Sequence, residues 1–193
     1  MFTVEYAIIV PVSFLLTLVY DSFGEWAIHR YMHNHPRLWF QRVYGDHVQV
    51  HHRIYRGDAS YVAGERPHRE LTLKWWAEPF PLATHLPVLV ALGIWLSIPT
   101  AVACFVAAVL YQGNYEYLNY CMHVPTGRWF ERTVAFRWLN ARHQQHHRKH
   151  NTNFNVLLPI ADYVLRTHQS PAREVNSRRR PVKGMAQAEM PGT

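Results

Sequence analysis

Charge is scarce in this chain and unevenly placed. Of 193 residues only 17 % are Asp, Glu, Lys or Arg, against the roughly 25 % usual in soluble globular proteins. Hydrophobic residues make up 49 % and aromatics 14 %, so the deficit of charge is not that of a disordered chain. Cysteine is nearly absent. Cys104 and Cys121 are the only two, which excludes a disulfide scaffold and a thiolate zinc module. Lys and Arg are missing from residues 1–29 and again from 75–127. All 20 cations fall in two blocks, eight from Arg30 to Lys74 and twelve from Arg128 to Lys183. The length suits one domain.

The cation-free stretches are also the apolar ones. Phe2–Tyr20 has Glu5 as its only charge, and His85–Leu110 has none. About 20 apolar residues of helix cross a bilayer core, so the first stretch is long enough for one span. It lacks the basic start of a signal peptide, and Asp21-Ser22-Phe23 is no small-residue cleavage site. The second stretch breaks at Ser97-Ile98-Pro99 and predicts a hairpin. Its halves reach crossing length only by extending into Pro79–Leu82 or Tyr111–Tyr120. Both cationic blocks then lie on one side, which the positive-inside rule makes the cytoplasm, C-terminus included. That topology accounts for the +7 charge without nucleic acid. The mean hydropathy of -0.21 is pulled down by the His- and Arg-rich blocks. The expectation is an all-α protein with membrane helices and a cytosolic helical cap. Residues 1–170 form the membrane-embedded domain and 171–193 a disordered basic tail. Trp26, Tyr31, Trp39, Trp75, Trp76, Trp129 and Trp138 are expected in an interfacial aromatic belt.

Histidine is the residue in excess, at 14, and it is clustered. His29 and His33 form HxxxH. His47, His51 and His52 form HxxxHH. Asn119 and His123 form NxxxH, and His143, His146 and His147 form HxxHH. Residues i and i+4 share a helix face one turn apart, so each pair can aim two side chains at one point. The doublets offer a third imidazole about 100° further round. A pH switch needs one or two histidines. Nine in these spacings suffice for two metal ions in one site. A ligating imidazole hands its other N–H to a carboxylate or carbonyl, and Glu25, Glu116 and Asp162 are candidates for that supporting role. Asp46 adjoins His47. His35 and His150 read as spare, His68 and His168 have no partner at ligand spacing, and His85 reads as a satisfied interfacial histidine. A turn at Gly57-Asp58 is expected within a connection over Tyr55–Pro67.

Imidazole suits zinc, copper, iron and nickel, so ligand count alone does not choose the metal. Location does more. The clusters lie where apolar helices leave the membrane, facing a lipid-like substrate whose C–H bonds yield only to an oxidant. A His-rich membrane metal-binding or metal-transport protein is the alternative, but transport wants ligands at mid-membrane depth. A zinc peptidase wants HExxH, which the chain lacks.

The motif series, set between apolar hairpins, resembles the fatty acid hydroxylase/sterol desaturase superfamily of integral membrane di-iron oxygenases. Residues His146 to Thr167 resemble that family's run of HH, Asn-Phe-Gly, Trp-Asp and Gly-Thr. Asn153-Phe154-Asn155, Ala161-Asp162 and Arg166-Thr167 stand in those places. The resemblance covers roughly residues 15–168. It implies His29, His33, His47, His51, His52, His123, His143, His146 and His147 as ligands of two iron ions, which zinc can replace in purified protein. Asn119, standing where the family often has His, is a tenth candidate for the catalytic centre. The implied activity is O2-dependent hydroxylation or desaturation of a fatty acyl, sterol-like or carotenoid substrate. The string HRYMH is similar to one in carotenoid hydroxylases. No cytochrome b5-like domain is visible in the chain, so a separate electron-donor protein is expected.

Overall fold

The computed structural model describes residues 4–34, 45–64, 71 and 79–170. Among the described residues all regular structure is helical, with no strand. Helix α1 spans Val4–Asn34. A π-helical turn, Gly45–His51, runs into the short α2, His52–Ile54. A 3-10 turn, Ala59–Tyr61, is followed by α3 (Pro79–Ala83), α4 (Leu86–Trp95) and α5 (Ile98–His123). A second 3-10 turn, Trp129–Arg132, leads into α6 (Val134–Arg148), and α7 spans Ile160–Val164.

The apolar and histidine-bearing parts of the N-terminal region prove to be one helix. The 31 residues of α1 span about 46 Å at 1.5 Å per residue. The expected span ended at Tyr20. In the structure the segment long and apolar enough to cross a membrane runs from Tyr6 to Tyr31 and includes His29. It is the only such helix among the described residues, and Pro81–Trp95 is a shorter apolar helix. The hairpin forms as the sequence requires. Ser97 caps α5, its hydroxyl accepting from Thr100 N–H at 3.2 Å, and Pro99 occupies the first turn, where no N–H is needed. Helix α5 then runs on through Tyr120 to His123.

Helices α1 and α5 run in the same direction. Cys104 Sγ lies 3.7 Å from the Ser13 carbonyl, and further along Tyr111 donates to Glu25 at 2.6 Å. Their C-terminal ends therefore deliver His29 and His123 to one end of the bundle. Ile8, Leu15 and Leu16 of α1, Val88 and Ile94 of α4, and Val102 and Phe105 of α5 are exposed. An apolar surface of that extent marks a lipid or protein contact. His85 bonds Asp21 at 2.6 Å through Nε2 and the Pro81 carbonyl at 3.0 Å through Nδ1. It is satisfied, as expected, and ties the hairpin to α1. The start of α7 docks on α1 through Ser22, which donates to the Leu158 carbonyl at 2.6 Å and accepts from Ala161 N–H at 3.1 Å.

The Gly57-Asp58 turn is present. Asp58 caps the 3-10 turn by accepting from Ser60 N–H at 2.9 Å. Trp129 and Trp138 are exposed, whereas Trp26 donates to Thr167 Oγ1 at 2.8 Å. Trp39, Trp75, Trp76, His35, His68, Glu65–Pro67 and the 171–193 tail lie outside the described residues.

Candidate metal centre

The clusters converge. Eight imidazoles assemble into two groups of four, and within each group the ligand nitrogens all lie within 4.8 Å of one another. The first group is His29, His47, His52 and His146. The second is His51, His123, His143 and His147. Each doublet is divided between them: His51 and His52 go to different groups, as do His146 and His147. A turn of about 100° between neighbours on a helix sends the two rings of a doublet to separate points. His143 and His147, four apart on α6, stay together as the spacing predicts. His47 and His51 do not. The segment is π-helical, a winding that joins i to i+5, and His47 meets His52, with Nε2 atoms 3.2 Å apart.

Four rings are oriented by backbone carbonyls. His29 Nδ1 donates to Phe154 O at 2.6 Å, His123 Nδ1 to Tyr61 O at 2.7 Å and His146 Nδ1 to Thr152 O at 2.8 Å. His147 Nδ1 donates to Tyr55 O. A carbonyl can only accept, so in these four rings the proton sits on Nδ1 and Nε2 presents a lone pair. Those lone pairs face other imidazoles. His29 Nε2 stands 2.8 Å from His47 Nε2. His143 Nε2 stands 3.2 Å from that of His123 and 3.1 Å from that of His147. One N–H on His143 could serve one of them well, not both. Burial and the neighbouring imidazoles hold His52, His143 and His147 well below the ordinary histidine range. The rings are thus neutral and able to ligate.

The spacing and chemistry fit a metal ion. Nitrogen ligands about 2.1 Å from a metal, at about 90–110° to each other, stand about 3.0–3.4 Å apart. A cation between the rings converts lone-pair repulsion into coordination. Except for half-buried His47, the eight side chains are buried.

The carboxylates act one step further out than expected. Glu25 makes no hydrogen bond to an imidazole of either group. It accepts from Val156 N–H at 2.5 Å, Asn155 Nδ2 at 3.2 Å and Tyr111 OH at 2.6 Å. Asp162 accepts from Phe154 N–H at 3.0 Å, Asn155 N–H at 2.9 Å, Thr167 Oγ1 at 2.7 Å and Arg142 Nη2 at 3.0 Å. Both grip the loop that presents Phe154 O to His29. Asn153 enters this loop with φ 54°, a left-handed conformation that Asn tolerates. Neither group includes Glu116, which is half-buried on α5.

The remaining candidates lie around the two groups. Asn119 donates its side-chain amide to Leu71 O at 2.9 Å, anchoring a loop. His168 is engaged, its Nδ1 accepting from Arg142. His150 stands with its ring 4.7 Å from that of His52. The side chains of His33 and Asp46 lie outside the described residues. The carbonyls of Tyr55, Tyr61, Thr152 and Phe154 were invisible to sequence reading, because any residue supplies a carbonyl.

The family model for fatty acid hydroxylases, described as "Fatty acid hydroxylase", matches residues 14–167. No curated protein and no solved structure matches significantly. The match spans most of the length and takes in every residue of both imidazole groups, so the chain belongs to the fatty acid hydroxylase family, within the fatty acid hydroxylase/sterol desaturase superfamily.

Proposed function

We propose that this chain is a membrane-bound di-iron oxygenase that hydroxylates or desaturates a C–H bond of a lipid. Its family supports a lipid hydroxylase/desaturase-type function, is membrane-associated and is typically metal-dependent. The observation that carries the finer reading is the pair of adjacent four-imidazole groups with Nε2 lone pairs facing inward. His29, His47, His52 and His146 would hold one ion, and His51, His123, His143 and His147 the other. His33, in the last turn of α1, is a candidate further donor. Asn119 is better read as the anchor of Leu71. Two irons held there would supply the activation of O2 needed to attack an unactivated C–H bond.

The chain's own groups do the rest. Backbone carbonyls fix each tautomer and ring plane, so the donors are preorganised. Burial excludes water from all of the second group and most of the first. Helices α1 and α5 carry both the apolar surface and two of the donors, so a lipid chain can reach the centre from the bilayer. Electrons come from a separate donor protein, and the positive-inside rule applied to the two cationic blocks supports a cytoplasmic centre.

The test is metal content of detergent-purified protein made with iron and without a chelating tag. About two irons per chain, reduced in His51→Ala and His146→Ala, support the reading and justify lipid screening with a reductant. Two zincs call for iron reconstitution, and the reconstituted protein must then oxidise a lipid. Less than one metal per chain, unchanged in both variants, overturns it.

A further inference from the structure

The first imidazole group has an open side, and a fifth histidine stands there. His47 is the one half-buried member of the eight. His150 is exposed, and its ring lies 4.7 Å from His52 and 6.3 Å from His146. Those are the spacings found inside the group itself: 4.5 Å for His29–His146, 4.9 Å for His52–His146 and 6.3 Å for His29–His52. His150 is not among the four, and it differs from them in its support. It sits just beyond the end of α6, in a turn closed by Thr152 N–H to Lys149 O at 3.1 Å. That turn also supplies the carbonyl that orients His146. A ring on such a turn can swing by side-chain rotation without moving a helix. Among the described residues no further histidine stands over the second group, whose four members are all buried.

We propose that His150 is a fifth, exchangeable ligand of the first metal site, closing its solvent side and governing how that ion enters and leaves. The proposal rests on the metal-binding reading above. A mobile outer donor captures an ion before the four inner rings close on it, and it slows escape by rebinding.

The test uses the full chain in detergent, loaded with cobalt(II). Four-coordinate cobalt absorbs more strongly in the visible than five-coordinate cobalt. His150→Ala is expected to raise the absorption of one site. With excess chelator, it should speed loss of one ion about tenfold or more, the scale on which supporting groups tune metal affinity, and leave the other ion at its wild-type rate. His150→Gln should behave like His150→Ala, while Lys149→Ala should leave both rates unchanged. A His150→Ala protein with wild-type spectrum and rates overturns the proposal. A wild-type chain retaining less than one cobalt overturns the metal reading beneath it as well.

Discussion

The two imidazole groups are built from the same residue type in the same number, but they are held by different parts of the chain. The second group draws on the ends of α5 and α6 and on His51. Two of its rings are oriented by carbonyls of the 55–61 segment, and that segment is locked to α6. Gly57 O accepts from Arg148 Nε, and Tyr61 OH donates to Asn140 at 2.7 Å. The side chains of Tyr61, Cys121, Met122, Phe136 and Val156 form a buried core. The first group draws on α1, on His47 of the π-helical turn, on His52 at the start of α2 and on His146. Its carbonyls come from the loop at 152–154, far along the chain from His29, and that loop is gripped by Glu25 and Asp162. One site is thus set by apolar packing and the other by a buried polar network. A half-buried ring at the second kind of site makes it the more exchangeable.

Substitutions sharpen this contrast. Loss of His143, central to the second group, should do the most damage. His143→Ala is expected to abolish lipid oxidation and leave about one metal per chain, whereas His47→Ala should retain more than that. Metal analysis of both variants decides it, and equal loss in the two would erase the asymmetry.

Asp162→Asn comes next. Arg142 and Asp162 are both fully buried, and removing one partner of a buried ion pair typically costs about 3–5 kcal/mol. The Phe154 carbonyl should shift with the loop. Thermal unfolding should show the lost stability, and the first site should lose metal before the second.

A pH series probes His52, His123, His143 and His147 together, the four rings that burial pushes below the ordinary histidine range. Their folded pKa is depressed, so below the unfolded value of about 6.5 the unfolded chain binds more protons than the folded one. Stability is therefore present above that pH and lost as pH falls through it, with a slope of up to about 1.4 kcal/mol per unit for each such ring. Denaturant unfolding of metal-free protein should show the decline. Metal should suppress it, because ligation competes with protonation.

The smallest effect is expected at Gly57. A Cβ there would stand 1.9 Å from Arg148 Cγ and 2.9 Å from Arg148 N. The side chain can move, but the backbone cannot easily do so. Gly57→Ala should cost about 1–3 kcal/mol and disturb the neighbouring Tyr55 carbonyl that orients His147. Metal loss in this variant should begin at the second site, the reverse of Asp162→Asn. Loss in the same order from both variants would mean that the two supports are not independent.

Much of the centre could be read along the chain. All four clusters contribute, the hairpin breaks at Ser97-Ile98-Pro99, and α5 extends to His123. What misled was local spacing taken as regular α-helix. His47 and His51 are four apart, which on an α-helix means one target. On the π-helical turn they serve two. Asn119 shares the i,i+4 relation with His123, but its amide finds Leu71. Glu25 lies one helical turn from His29, yet the Val156 N–H and the Tyr111 hydroxyl reach its carboxylate.

The sequence by itself determined the helical class, the apolar stretches and the supply of imidazoles, because hydropathy and the 3.6-residue period are local properties. Tertiary structure alone decided which histidines share a site and what orients them. Sharing depends on where helices distant in sequence come together, and orientation depends on carbonyls that every residue possesses and only folding brings within reach.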